Sequence, residues 1–187
     1  MENAKSGTKA GFKYHIEHLR DVAVMRAMGL SLEGLERRGD QVVLSIEDVT
    51  NLIPTAGLNY MLGTALTGVT QLSAWYIALF EGNYTPVAGV TAATFPADAT
   101  ESTAYTEATR PVWTPGSISA GSVSNTASKA VFTINATKTI YGIGQTSVST
   151  KSATTGTLIS CARFAAAKAV VATDVLNVTS TLSATST

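Results

Sequence analysis

Few residues in this chain are of types that do covalent or metal chemistry, and their spacing limits what they could do together. The only two histidines are His15 and His18. They fall in a segment where Phe12, Tyr14 and Ile16 alternate with Lys13, His15 and Glu17, the pattern of a half-buried strand. On a strand, a three-residue interval puts two side chains on opposite faces. No cysteine or third histidine completes a ligand set, so no metal site is expected. Cys161 is the only cysteine, which excludes an internal disulfide. It sits mid-strand in an apolar stretch and reads as a small buried side chain rather than a reactive thiol. The carboxylates of the body are Glu81, Asp98, Glu101, Glu107 and Asp174. Glu101 and Glu107 have the residue types of a glycosidase pair, but two carboxylates in a loop are usually solvated. Gly142, Gly144 and Gly156 lack the strand–loop–helix context and the lysine of a phosphate cradle. No catalytic residue, metal or cofactor is assigned, and the chain reads as a non-enzyme.

Residues suited to contacting a partner lie between Gly82 and Pro115. This long Ala/Thr-rich segment holds four of the five prolines, each of which removes a ladder donor, so it cannot be a central strand throughout. Tyr84, Phe95, Tyr105 and Trp113 are expected to anchor it, and a loop of this length often marks an interaction surface. Arg110-Pro111-Val112-Trp113 resembles a clamp, with Arg110 stacked on or paired beside Trp113. The plainer reading makes Trp113 a lid on the core edge. Tyr84, Tyr105, Arg110 and Trp113 are therefore the candidate partner-contact residues.

The elements that would position them are organised around residues 51–80. Ala56, Tyr60, Leu62 and Leu66 have helical spacing, Pro54 suits the first turn and Gly68 the stop. Trp75 to Phe80 then reads as a strand covered on both faces, with Trp75 in the core beside the helix. Upstream, residues 20–38 fit either an exposed helix or a two-stranded excursion. Residues 41–46 predict a strand with Val42, Leu44 and Ile46 on one face. Downstream, strands are expected over 129–135, 138–146, 157–164 and 174–183. In the second of these, Tyr141 and Ile143 share a face opposite Ile140. Residues 165–168 suggest a helical turn or a tight connection. Strands at this spacing, joined by turn residues, argue for a mainly β fold, a jelly-roll or related β-sandwich with one central α-helix and a charged N-terminal extension. Residues 1–50 are read as arm and extension, with residues 1–11 flexible, and residues 51–187 as the body of one compact domain.

Composition bears on partners. Charged residues make up only 14% of the 187, against about 25% in an average soluble domain. The formal net charge is zero, from 13 basic and 13 acidic side chains, and 15 of these 26 lie in residues 1–48. The mean charge gives no attraction to nucleic acid or an acidic membrane. No signal peptide and no spanning helix are expected. The three Asn-X-Ser/Thr sequons, at Asn83, Asn135 and Asn177, read as chance matches in a Thr-rich chain.

The order of phrases carries a resemblance. FKYHIEHLRD, NLIPTAGLNYML, WYIALFEGNYTP, ESTAYTEATRPVWTPGSISAGSVSNTASKAVFTINAT, STKSATTGTLIS and DVLNVTSTLS together resemble a family of tailed-bacteriophage capsid decoration, or cementing, proteins. The resemblance spans residues 12–183 and is most specific at Tyr105 to Trp113. It departs from the family between Asp21 and Asp40, where the link is shorter in relatives, which leaves that segment open to a phage-specific contact. The resemblance implies a virion protein on the capsid exterior, made in the host cytoplasm, that forms a homo-oligomer and bridges the phage major capsid protein. The alternative is a tail or head-fibre component whose 84–115 loop binds a receptor or glycan, for which Tyr84, Tyr105 and Trp113 would supply stacking faces.

Overall fold

The computed structural model describes residues 8–186 and is mainly β, with two antiparallel sheets and three helices. In the first sheet, β1 (Thr8–Asp21) lies between β11 (Val175–Ser186) and β3 (Gln41–Thr50). The two-residue β2 (Arg37–Arg38) pairs with β3, while β7 (Ser122–Ser124) and β8 (Ala130–Thr133) pair with successive parts of β11. The second sheet runs from β10 (Leu158–Val170) through β9 (Lys138–Thr146) to β4 (Trp75–Phe80). The short β5 (Glu101–Ser102) and β6 (Val112–Trp113) both pair with β4.

Residues 1–50 are not an extension packed on a separate body. Phe12, Tyr14 and Ile16 are buried, and β1 has a partner strand on each side, so the N-terminal quarter supplies interior strands of the first sheet. Residues 8–11, expected in a flexible arm, pair with Ser183–Ser186 in β11. Residues 1–7 of that arm lie outside the described residues.

Both sheets contribute to one core. Tyr14, Ile16, Phe132, Leu176 and Val178 from the first sheet join Ile77, Leu79, Ile140, Ile143 and Phe164 from the second. Ala78 and Phe80 point the other way, into a smaller cluster with Val90, Phe95 and Leu158. There the 84–99 segment, with the single turn of α3 (Phe95–Asp98), covers the outer face of the second sheet. Burial on both faces explains the unbroken apolar run of β4. Buried polar groups tie the sheets together. The Ser180 hydroxyl donates to Gln145 Oε1 at 2.8 Å, the Trp113 indole N–H donates to the Ser180 carbonyl at 3.0 Å, and Tyr14 bonds the Ser160 hydroxyl.

The helix expected at the centre lies at an edge. α2 (Thr55–Leu66) follows Pro54 and stops before Gly68, whose φ is 73°. Only Gly57 and Gly63 of α2 are buried. Gly57 lets the helix backbone rest on β10, since a Cβ there would stand 2.7 Å from the Ile159 carbonyl oxygen. Leu52 forms an isolated bridge with Cys161, so this segment covers the open edge of β10. Trp75 is half-buried, with its ring 5.4 Å from that of Tyr60 in an edge-on contact, rather than deep in the core.

Bulges shift other faces. An extra residue in β3 opposite His18 and Leu19 reverses the alternation, so Val42 and Val49 are both buried while Ile46 is exposed. In β9, Ile143 shares the main core with Ile140, and Tyr141 packs on the smaller cluster. β10 continues through residues 165–168, where the sequence suggests a turn, but residues 164–167 find no partner on β9. The 20–38 segment contains both expected forms. α1 (Val22–Ala27) is capped by Asp21, whose carboxylate accepts from the Ala23 N–H at 2.6 Å, and the chain then returns through β2.

Close approach makes one glycine a test of this packing. A Cβ at Gly142 would collide with the Phe80 ring and the Ala162 carbonyl, whereas one at Gly11 would meet nothing within 4 Å. Gly142→Ala is expected to cost ~1–3 kcal/mol through overpacking. Gly11→Ala is expected to be neutral or slightly stabilising. Denaturant midpoints of the two variants check the contrast.

Candidate functional site

The four candidate contact residues do not form an exposed surface. Arg110, Tyr105 and Trp113 are buried, and Tyr84 is half-buried against the smaller core cluster. Arg110 does not stack on Trp113. Its Nε and Nη2 donate to the two Glu101 carboxylate oxygens at 2.8 and 2.6 Å, and its Nη1 donates to the Val148 carbonyl at 2.8 Å. The Ser152 N–H also donates to Glu101, so this pair fastens the 147–156 loop to the chain around residues 101–110. Glu101 is therefore engaged by Arg110, and Glu107 instead accepts from the Thr133 N–H at 3.1 Å. Trp113 and Tyr105 belong to the main core, with the Tyr105 ring edge-on to Phe132 at 5.0 Å and Lys151 Nζ 3.7 Å above it. Burial pushes the Tyr105 hydroxyl well above its ordinary pKa. Rings packed this way offer no free stacking face for a sugar.

The structure assembles a polar cleft that these residues do not include. It has a volume of about 490 Å³ and lies between β1, β3 and the irregular part of β10. Arg20 donates to both Asp174 oxygens at 2.7 Å, and His18 Nε2 meets Asp174 Oδ2 at 2.7 Å. Burial disfavours the Asp174 carboxylate, but hydrogen bonds from Arg20, His18 and the Val171 amide outweigh it and hold its pKa below the usual range. Beside them, Lys168 Nζ donates to Glu47 at 2.8 Å and to Ser45 Oγ at 3.2 Å. These contacts tie three strands and the turn before β11. The readable signal was the alternation Ile16, His18, Arg20, which carries two basic residues inward and so requires a carboxylate. His15 lies on the opposite face, with Nδ1 2.8 Å from Asp48. Burial also raises the Cys161 thiol well above its ordinary pKa, in keeping with a structural side chain.

The outer face of the first sheet carries paired charge. Glu17 is held by Arg38 at 2.5 Å and Lys129 at 2.7 Å, and Asp48 by Lys13 at 2.7 Å. Burial works against the Glu17 carboxylate, but the bonds from Lys129 and Arg38 prevail and bring its pKa down to about 2.

A different surface surrounds α2. Residues 49–80 contain no Asp, Glu, Lys, Arg or His. On this stretch Leu58, Leu62 and Leu66 are 44%, 57% and 77% exposed. Next to Met61 lies an apolar groove of about 180 Å³, lined also by Val123, Leu182 and the highly exposed Ile118. No helix among the described residues is long and apolar enough to cross a membrane. Comparison with protein-family models finds no match, and comparison with curated proteins finds none either.

Two outcomes test these placements. Arg110→Ala is expected to destabilise the isolated chain by ~3–5 kcal/mol, because it strands a buried carboxylate. Combining it with Glu101→Leu should recover much of the loss in denaturant unfolding. Glu17 contributes stability that is present above its unfolded-state value of 4.5 and is lost as pH falls toward about 2. Glu17→Gln should therefore flatten the acid limb of a melting-temperature profile over that window.

Proposed function

We propose that this chain is a non-enzymatic structural protein of a tailed-phage virion, one that binds the outer surface of the assembled capsid and stabilises it by bridging major capsid proteins. The observation that carries the reading is the charge-free surface around α2, where large apolar side chains stand in water. Surfaces of this kind mark protein contacts, because interface cores are depleted of charge. The two-sheet body sharing one core supports a β-sandwich related to the jelly roll. In it, β10 passes the chain from one sheet to β11 in the other through the 171–174 turn. A body tied by buried ion pairs is rigid, which suits a clamp over other subunits. The 21–40 excursion, longer than the corresponding link of the family the sequence resembles, adds exposed Met28 and Leu30 as a further contact.

Stabilisation follows from mass action, since a partner that binds only the assembled shell shifts it toward the intact state. Purified chain mixed with undecorated capsids should bind saturably to the head exterior, at many copies per particle, and raise the temperature at which the capsid opens. A chain that never binds capsids, but binds bacterial surfaces, would overturn this reading in favour of a fibre component.

A further inference from the structure

The polar cleft between β1, β3 and β10 holds more hydrogen-bond donors than its own residues use. The side chains of His18, Arg20 and Lys168 line it, and each is more than nine-tenths buried. Asp174 is filled: one oxygen accepts from Arg20 Nε, and the other from Arg20 Nη2, His18 Nε2 and the Val171 N–H. Arg20 Nη2 also donates to the Ala169 carbonyl at 3.3 Å, which leaves Nη1 meeting only the Met28 sulfur at 3.9 Å. An ammonium has three N–H donors, and Lys168 uses two of them, on Glu47 and Ser45. His18 makes no hydrogen bond through Nδ1 among the described residues. Buried donors left over in this way are completed by an acceptor.

The cleft also shows which acceptor it suits. Glu47 reaches into it as a carboxylate on a short alkyl stem, accepting from the Ala165 N–H at 2.6 Å and from Lys168 Nζ at 2.8 Å. Residues 164–167 have no partner on β9, so their amides are not committed to that ladder. About 490 Å³ remains beside that carboxylate, walled on its apolar side by Leu44, Ile46 and the exposed Ala165, Ala166 and Ala167. The charged groups that share the cleft with His18 are Asp174 and Glu47 against Arg20 and Lys168, which balance. One more anion therefore calls for one more positive charge, and His18 supplies it by taking a proton at Nδ1.

We propose that this cleft binds a carboxylate carried on a short alkyl stem, either a free carboxylic acid or the glutamyl side chain of a bound protein. The site does not depend on the virion role proposed above, and its test uses no capsid.

Titration of the full chain with glutarate, and separately with N-acetylglutamate amide, tests this through the His18 ring signals in NMR. The chain has only two histidines, and His15, on the opposite face, serves as the internal control. His18 should shift saturably with at least one of the two acids, and which one does identifies the source of the carboxylate. Binding should tighten as pH falls through the imidazole range, because the bound anion draws a proton onto His18. The neutral analogues glutaramide and N-acetylglutamine amide should bind at least about tenfold more weakly, since they lose the charge-assisted bonds. Ala167 is exposed at the cleft wall, so Ala167→Phe should melt like wild type yet obstruct the cleft and weaken binding by a similar factor. Lys168→Met combined with Glu47→Gln removes the donor and its counter-charge together, and should weaken binding likewise. Three results would overturn the proposal: no saturable shift of His18 with either acid, neutral amides or inorganic phosphate binding as tightly as the acids, or either folded variant binding undiminished.

Discussion

The pairing of β1 with β11 joins the two ends of the chain in the middle of one sheet, from Thr8 opposite Ser186 to Leu19 opposite Val175. The remaining strands of that sheet add to this pair, β3 on β1 and both β7 and β8 on β11. The main core needs it too, since Tyr14, Ile16, Leu176 and Val178 complete that core only when the ends have met. Closing so long a stretch of chain costs entropy before any contact offsets it, so the sheet depends on strong specification of register. Asp174 supplies part of that. It stands at the entrance to β11 and meets His18 and Arg20 near the end of β1. A slip of one residue would turn those basic side chains to the other face and leave a buried carboxylate without partners.

How much of this the sequence discloses depends on the range of the interactions involved. The strand pattern of β4, the start and stop of α2 and the buried side of β8 follow from local periodicity and local backbone chemistry, and all three are legible. The faces of β3 and β9 are not, because a bulge reverses alternation without leaving a residue signature at its position. The helix is legible as a helix but not as a peripheral one. Its burial depends on Gly57 meeting Ile159, about a hundred residues away, and apolar spacing alone cannot say which side is covered. The candidate contact residues show the same limit. Arg110 beside Trp113 suggests a local pair, whereas its carboxylate partner Glu101 follows from the path of the loop.

That buried pair explains how a segment with four prolines is held in place. Proline withholds the donors that would fix the segment in a ladder, so side chains supply the missing hydrogen bonds. Arg110 reaches the Val148 carbonyl as well as Glu101, and Trp113 reaches the Ser180 carbonyl. Charge-assisted bonds in a buried setting are strong when every donor finds an acceptor, and costly when one is removed. The aromatic and basic residues that look available for a ligand in the sequence are thus consumed in holding their own segment against the core.

What is left for partners is set by the cost of removing water. The outer face of the first sheet presents Lys13, Asp48, Glu17, Arg38 and Lys129 in pairs, and covering it would desolvate charges already satisfied. The face around α2 presents leucines with no charge nearby, and covering it removes apolar surface from water at little polar cost. In the assembly proposed above, orientation would follow from this difference in desolvation rather than from attraction over distance. With no net charge there is little electrostatic steering, so encounter should proceed near the unassisted rate and depend weakly on salt. In that assembly affinity would come mainly from slow dissociation, which close packing over an apolar face would supply.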